Sequence, residues 1–455
     1  MSQKIIITGG KKLQGNIKVS GSKNSALPLM CAALLARTST TLTNVPEIED
    51  TKSLIKIFES IGVVIEKNGN TLVIHPEKIT TEKPSDELVK KMRAAALLAA
   101  PLLVRNGKVD MAFPGGCVLG KRTLHAHTFV FEKFGATILE QEKALKLEAT
   151  KLHSAEIVMP EASVTATENA LMIAASLEGK TEIRLAACEP HVQDLCEMLN
   201  KMGAQIEGIG THTLIIHGTK NLHGVTHEIM GDYLEAGTFA VAAAITGGDV
   251  TISGLSMHHL DSFWQKFEEA GVPYEIKGDT IRIQGSQKMK AIAMIKTAVH
   301  PNFPTDLQAP FAVLLTQAEG VSKIFETLFD GRLSYLFELE KMGARFEMLN
   351  PHQAIIIGKT ELTGADIASC DIRAGAAMIL AALAAKGQTS ISNIVYIDRG
   401  YERIVEKFQS LGADIERIQE ESPEGNIQKV ISTVPSKSVR RIEAPTAESR
   451  ERASA

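Results

Sequence analysis

The segment Phe113-Pro114-Gly115-Gly116-Cys117-Val118-Leu119-Gly120-Lys121-Arg122 sets one thiol in a glycine-rich loop beside two cations. Neighbouring positive charge lowers a thiol pKa and raises its nucleophilic fraction, so Cys117 is the candidate reactive group. The other cysteines, Cys31, Cys188, Cys196 and Cys370, lack such a setting and read as inert packing thiols. Further cations, Lys23, Arg93, Arg332, Arg373 and Arg399, join Arg122 as candidates for holding phosphate and carboxylate groups, arginine in bidentate fashion. Asp306 is the candidate carboxylate.

These residues need elements to position them, and a sixfold repetition supplies the elements. The motifs SIGVVIE, KFGATIL, KMGAQIE, EAGVPYE, KMGARFE and SLGADIE centre on Gly62, Gly135, Gly203, Gly271, Gly343 and Gly412, in steps of 73, 68, 68, 72 and 69 residues. A period of this size means a supersecondary unit repeated in space. Ahead of each motif comes an Ala/Leu-rich stretch: 24–36, 93–104, 167–177, 234–246, 307–318 and 374–385. These are apolar nearly all round, as fully buried helices are. Strands such as TTLTNV and TEIRLA follow, then amphipathic helices such as SLIKIFESIG and YERIVEKFQSLG. The expectation is an α/β protein of two domains, with six repeats of a βαβαββ-type unit, three per domain. An ordinary doubly wound sheet does not explain the period.

Polar residues cluster at the entrances of the six buried helices: Ser22-Lys23-Asn24, Arg93, Thr165 to Asn169, Asp232 with Glu235, Thr305-Asp306, and Asp371 with Arg373. Helix N-termini favour anions, so helices converging by their N-termini build an anion site. Asp306, Asp232 and Ser22 read equally as helix caps, but arginine at such an end is unfavourable without an anion.

Composition excludes several classes. A formal charge of −4 and no Lys/Arg block argue against nucleic-acid binding. No apolar run is long enough for a membrane span, and five cysteines, an odd number without metal spacing, fit a reducing cytoplasm and no metal site. Residues 419–455 are polar and poor in core residues, which predicts disorder. A monomer is the expectation for the assembly.

The segments GSKNSALP, PGGCVLGKR, FPTDLQ, EAGTFAVAAAITGGDVT and IDRGYERI resemble the UDP-N-acetylglucosamine 1-carboxyvinyltransferase family of enolpyruvyl transferases, from about Lys4 to Arg417. The resemblance implies an inside-out α/β barrel, with residues 1–22 and 231–418 in one domain and 23–230 in the other. It implies transfer of enolpyruvyl from phosphoenolpyruvate to the 3-hydroxyl of UDP-N-acetylglucosamine, opening peptidoglycan synthesis, with no cofactor. By the same resemblance, Lys23, Asn24, Arg122, Arg332, Arg373 and Arg399 handle phosphoenolpyruvate, Cys117 donates a proton and Asp306 acts as base. Arg93, Arg122, Thr123, Leu124, His125, Ala126, Ser163, Val164, Asp306 and Leu328 match contacts with the UDP-sugar. The chain departs from the family pattern at His125 (usually Asp), Glu161 (often Lys), Thr165 (usually Gly) and Tyr233, all on the acceptor side or the crossing between domains. A different uridine nucleotide or phosphorylated acceptor is therefore the first alternative. An RNA 3′-phosphate cyclase-like ligase is the alternative of another class, disfavoured by six repeats and an acidic balance.

Overall fold

The computed structural model describes residues 3–115, 123–285 and 288–419. Cys117, Arg122 and the tail from residue 420 lie outside the described residues.

Buried helices run over Lys23–Ala33, Ala99–Asn106, Val164–Ala175, Tyr233–Thr246, Gln308–Gln317 and Ile372–Ala384, close to the Ala/Leu-rich stretches. Two differ from the expectation at their starts, where the turns Arg93–Leu98 and Thr305–Leu307 are 3₁₀. Pro101 and Pro310 explain the difference. Each stands in the first α turn, where a missing N–H costs nothing, and the preceding turn is completed by 3₁₀ bonding. From Arg373 to Leu383 and from Tyr233 to Ala244, every side chain is buried.

Among the described residues the strands form six sheets, five of four strands and one of three. The strand after each core helix pairs antiparallel with a strand downstream: Thr40–Thr43 with Thr71–His75, for example, and Gly320–Phe325 with Gln353–Gly358. The last such strand, Gln388–Ser392, pairs instead with Gln3–Thr8 at the start of the chain. The N-terminal strand thus completes the final sheet, and Gln14–Lys18 lies parallel to Asp249–Ser253.

The six motif glycines have a common cause. Each stands two residues beyond a surface helix and has φ between +77° and +117°. The next residue's N–H then reaches back five residues to the helix: Val63 to Phe58, Ala136 to Phe131, Ala204 to Leu199, Val272 to Phe267, Ala344 to Leu339 and Ala413 to Phe408, at 3.0–3.1 Å. This bonding satisfies carbonyls that a helix end leaves free, and it needs a left-handed residue. The apolar residue after each glycine packs back toward that Phe or Leu, which explains the motif.

Two separate apolar clusters fill the molecule, one drawn from residues 26–229 and one from residues 5–19 and 233–415. The chain passes between them at Gly21 and Gly231, which pair as an antiparallel bridge. The space there admits only hydrogen: a Cβ on Gly21 would lie 1.8 Å from the Asn44 carbonyl oxygen, and one on Gly231 would lie 1.7 Å from that of Gly254. No described helix is long and apolar enough to cross a membrane.

Glycine substitutions separate the two constraints. Gly412→Ala meets open space and should cost only the left-handed strain of about 1–2 kcal/mol. Gly21→Ala must part the crossing strands, so its urea midpoint should fall well below that of Gly412→Ala. Equal midpoints would mean the crossing is not tight.

Candidate active site

One cavity of about 670 Å³ opens between the two apolar clusters. First-turn residues of all six core helices line it, counting the 3₁₀ starts: Lys23 and Asn24, Arg93, Val164 and Thr165, Tyr233, Thr305 and Asp306, and Arg373. The helices are buried along their length, and their N-terminal ends carry the polar groups that a core cannot hold.

Two charge triads dominate the walls. Asp50 receives Lys23 Nζ at 3.0 Å and Arg399 Nε at 2.8 Å, joining the two halves of the chain. Asp306 receives Arg332 Nη2 at 2.7 Å and Arg373 Nε at 3.1 Å. Burial pushes both carboxyls up, but the paired cations outweigh it and hold each below the usual carboxylate range. Each triad holds two cations and one anion. Arg332 also donates to Thr305 Oγ1 at 3.0 Å, and that hydroxyl donates to Glu326 at 2.7 Å. Asp232 and Asp371 cap their helices, accepting first-turn N–H bonds at 2.7–3.1 Å, and Ser22 caps more weakly at 3.4 Å. Asp306 is not a cap; its carboxylate is committed to the arginines.

Arg93 is committed to the loop. It donates to the carbonyls of Pro114 at 3.5 Å and Thr123 at 2.6 Å, the two sides of residues 116–122. Thr123, Ala126, Ser163, Val164 and Leu328 line the cavity. Leu124 and His125 do not: Leu124 is buried in the core and His125 is exposed. The helix His125–Lys133 explains this. Residues 123, 126 and 127 share one face at three- and four-residue steps, so His127 faces the cavity where His125 cannot. Residue-type reasoning passed over Asp50, which reads as an ordinary acid in the first turn of a surface helix. It also missed Glu189, His191 and His259, whose signal is only in their burial, and noted Glu168 only as one of the polar residues at a helix entrance.

Four buried polar atoms on this cavity lack hydrogen-bond partners among the described residues: Arg373 Nη1, Glu168 Oε1, Glu189 Oε2 and His259 Nδ1. Buried polar groups are normally paired, so the cavity fits a ligand that brings both donors and acceptors. Its walls differ in character. Burial raises the pKa of Glu168 and Glu189, so the wall also presents carboxyls that resist ionisation. Among the described cysteines none is activated: burial pushes Cys188 to about 11 and Cys196 to about 12, and raises Cys31 and Cys370 as well.

Comparison with known proteins decides the family. The model of the EPSP synthase (3-phosphoshikimate 1-carboxyvinyltransferase) family matches residues 7–408. The chain belongs to the EPSP synthase family. Within it, a UDP-N-acetylglucosamine 1-carboxyvinyltransferase from Geobacter metallireducens is 42% identical over 417 residues, covering 92% of this chain and 100% of the relative. One of the same name from Bradyrhizobium diazoefficiens is 43% identical over 423 residues, covering 91% and 98%. Among solved structures, the enolpyruvyl transferase NikO from Streptomyces tendae superposes with a TM-score of 0.84 at 26% identity, covering 92% of this chain and 99% of that one. An EPSP synthase from Acinetobacter baumannii, at 21% identity and a TM-score of 0.71, shares the fold.

The Asp306 triad sets a pH dependence. Its folded pKa lies below the unfolded value of about 3.9, so its stabilisation is complete above that value and is lost as pH falls through the folded pKa. Asp306→Asn leaves two buried guanidiniums unpaired and should cost about 3–5 kcal/mol at neutral pH. In urea unfolding, the gap from wild type should narrow steadily as pH is lowered below about 4. A gap independent of pH would mean Asp306 is not an ionised partner.

Proposed function

We propose that this chain transfers the enolpyruvyl group of phosphoenolpyruvate to the 3-hydroxyl of UDP-N-acetylglucosamine with release of phosphate, the opening step of peptidoglycan synthesis, in the cytoplasm. The observation that carries the reading is the gathering of four cations in two groups, with Arg373 Nη1 buried and without a hydrogen-bond partner among the described residues. Lys23 and Arg399 converge on Asp50, and Arg332 and Arg373 converge on Asp306, on the walls of one cavity. A substrate bearing phosphate and carboxylate suits such walls, because charge-assisted hydrogen bonds to arginine and lysine are the strong ones. The relatives' names supply the reaction, and their nearly full-length match supports carrying it to this chain.

Two domains, 1–22 with 231–418 and 23–230, each of three βαβαββ units wound as an inside-out barrel, are part of the proposal. The separate apolar clusters and the Gly21–Gly231 bridge support it. The chemistry is the family's, carried onto the matching residues of this chain. Cys117 protonates C3 of phosphoenolpyruvate, which develops oxocarbenium character at C2. The sugar 3-hydroxyl attacks C2 and gives its proton to Asp306. The tetrahedral phospho-ketal then expels phosphate and loses a proton from C3, leaving the enolpyruvyl ether. Proton transfers of this kind contribute about 10²–10⁴-fold. Lys23, Arg122 and Arg399 grip the phosphate, and Arg332 and Arg373 stabilise charge that develops during transfer.

Phosphate release from phosphoenolpyruvate, measured against a panel of uridine nucleotides, should require UDP-N-acetylglucosamine. Turnover with a different nucleotide sugar alone would move the assignment to that acceptor. Lys23→Ala and Arg399→Ala should each weaken phosphoenolpyruvate handling by about 2–5 kcal/mol in kcat/KM; unchanged kinetics in both would remove the clamp. Fosfomycin, a small epoxide, should label Cys117 ahead of the four buried or half-buried thiols, and peptide mapping reads the site directly. Label on Cys31 or Cys370 instead would strip Cys117 of its role.

A further inference from the structure

A chain of hydrogen bonds ends at Thr165 on the cavity wall, and its direction is fixed at the far end. Asn169 Nδ2 lies 3.1 Å from the carbonyl oxygen of Ala96 and 2.8 Å from Nδ1 of His127. A carbonyl oxygen only accepts, so the atom facing it is the amide nitrogen. That nitrogen only donates, and Nδ1 of His127 must therefore accept. A neutral imidazole that accepts at Nδ1 carries its proton on Nε2. Burial, with Arg93 nearby, keeps the ring neutral by pushing its pKa down to about 3. Nε2 is 3.0 Å from Thr165 Oγ1, so the ring donates to the threonine oxygen. The hydroxyl proton of Thr165 is left over, on a residue that lines the cavity.

We propose that Thr165 donates this proton to a phosphoryl oxygen of the acceptor nucleotide, with His127 and Asn169 as positioning residues; the proposal rests on the functional reading above. Three features identify the recipient as an anionic oxygen. The spare group is a donor and needs an acceptor. Arg93 stands close enough to disfavour a proton on His127. The helix Val164–Ala175 begins here, and its N-cap residue Ser163 supplies no side-chain cap, so first-turn N–H groups remain for a ligand. Glu161 also lines this wall, and its carboxylate offsets part of the local positive field. A directed neutral donor therefore matters more here than charge alone. His127, buried with both ring nitrogens engaged, acts only through Thr165.

The test has a spectroscopic and a kinetic arm. In unliganded enzyme, ¹⁵N NMR should find His127 as the neutral Nε2–H tautomer, unchanged from about pH 5 to 8 given its unshifted reference near 6.5. An Nδ1–H tautomer would reverse the relay and overturn the proposal. A hydrogen bond to a charged group predicts that Thr165→Val raises the acceptor KM about tenfold or more. The KM for phosphoenolpyruvate should stay within about twofold, and Thr165→Ser, which keeps the hydroxyl, should return the acceptor KM to within about threefold of wild type. An unchanged acceptor KM in Thr165→Val would also overturn it. Calorimetry with UDP alone separates this from failure of the functional reading. If wild type binds UDP but turns over no UDP-N-acetylglucosamine, that reading fails while the UDP affinities of wild type and Thr165→Val still decide the role of Thr165.

Discussion

Two carboxylates make this cavity possible. Lys23, Arg399, Arg332 and Arg373 are largely removed from water, and an isolated buried charge costs several kcal/mol even after relaxation. Asp50 and Asp306 each hold a pair of them. Full neutralisation would leave nothing for an anionic ligand, and no neutralisation would leave four like charges facing one another across a cleft. Within each triad one carboxylate faces two cations, and Asp371, Glu326 and Asp232 add to the field around Arg332 and Arg373.

The architecture leads to this arrangement. A helix buried on every side can show polarity only at its ends, and its N-terminal end presents unbonded N–H groups and a positive dipole. Six such ends lead to one cavity. The surrounding sheets and surface helices hold the ends in place, and the left-handed glycines at 62, 135, 203, 271, 343 and 412 turn each surface helix sharply into its next strand. The crossing at Gly21 and Gly231 lies immediately before the first turns that carry Lys23 and Tyr233. The two halves are further tied by the Glu402 carboxylate, which accepts from the Glu47 N–H at 2.8 Å and the Asn70 amide at 3.0 Å. Cations of the cavity wall and ties between the two apolar clusters thus occupy adjoining stretches of chain.

What could be read from residues alone follows the same physics. The buried helices announce themselves because full burial leaves few polar residues beyond their first turns. The glycine motif does so because a left-handed end excludes other side chains. Lys23, Arg373 and Asp306 stand out because cations and acids at buried helix entrances need a reason. Asp50 was not legible, since an acid in the first turn of an amphipathic helix already has one; only its distance to Lys23 and Arg399 reveals its task. His125 and Leu124 were taken from a run of matching residues, whereas the helix that starts there turns one to solvent and the other to the core. The tautomer of His127 depends on a carbonyl thirty-one residues away in sequence, at Ala96, and no local pattern encodes it.

The Asp306 triad also bears on the chemistry proposed for it. A carboxylate held by two guanidiniums is a poor base, because protonating it would leave both cations without their anion. Arg373 nevertheless keeps Nη1 buried beside that bond and without a hydrogen-bond partner among the described residues. An incoming anion that engages Nη1 shares the guanidinium's charge and weakens its hold on Asp306. The carboxyl's pKa must then rise toward the value that burial alone would set, while solvent is excluded around it. Basicity at the acceptor hydroxyl is on this account coupled to occupancy of the anion site. With the site empty, Asp306 serves as a counterion to Arg332 and Arg373; the proposed role as base requires that an anion first loosen that hold.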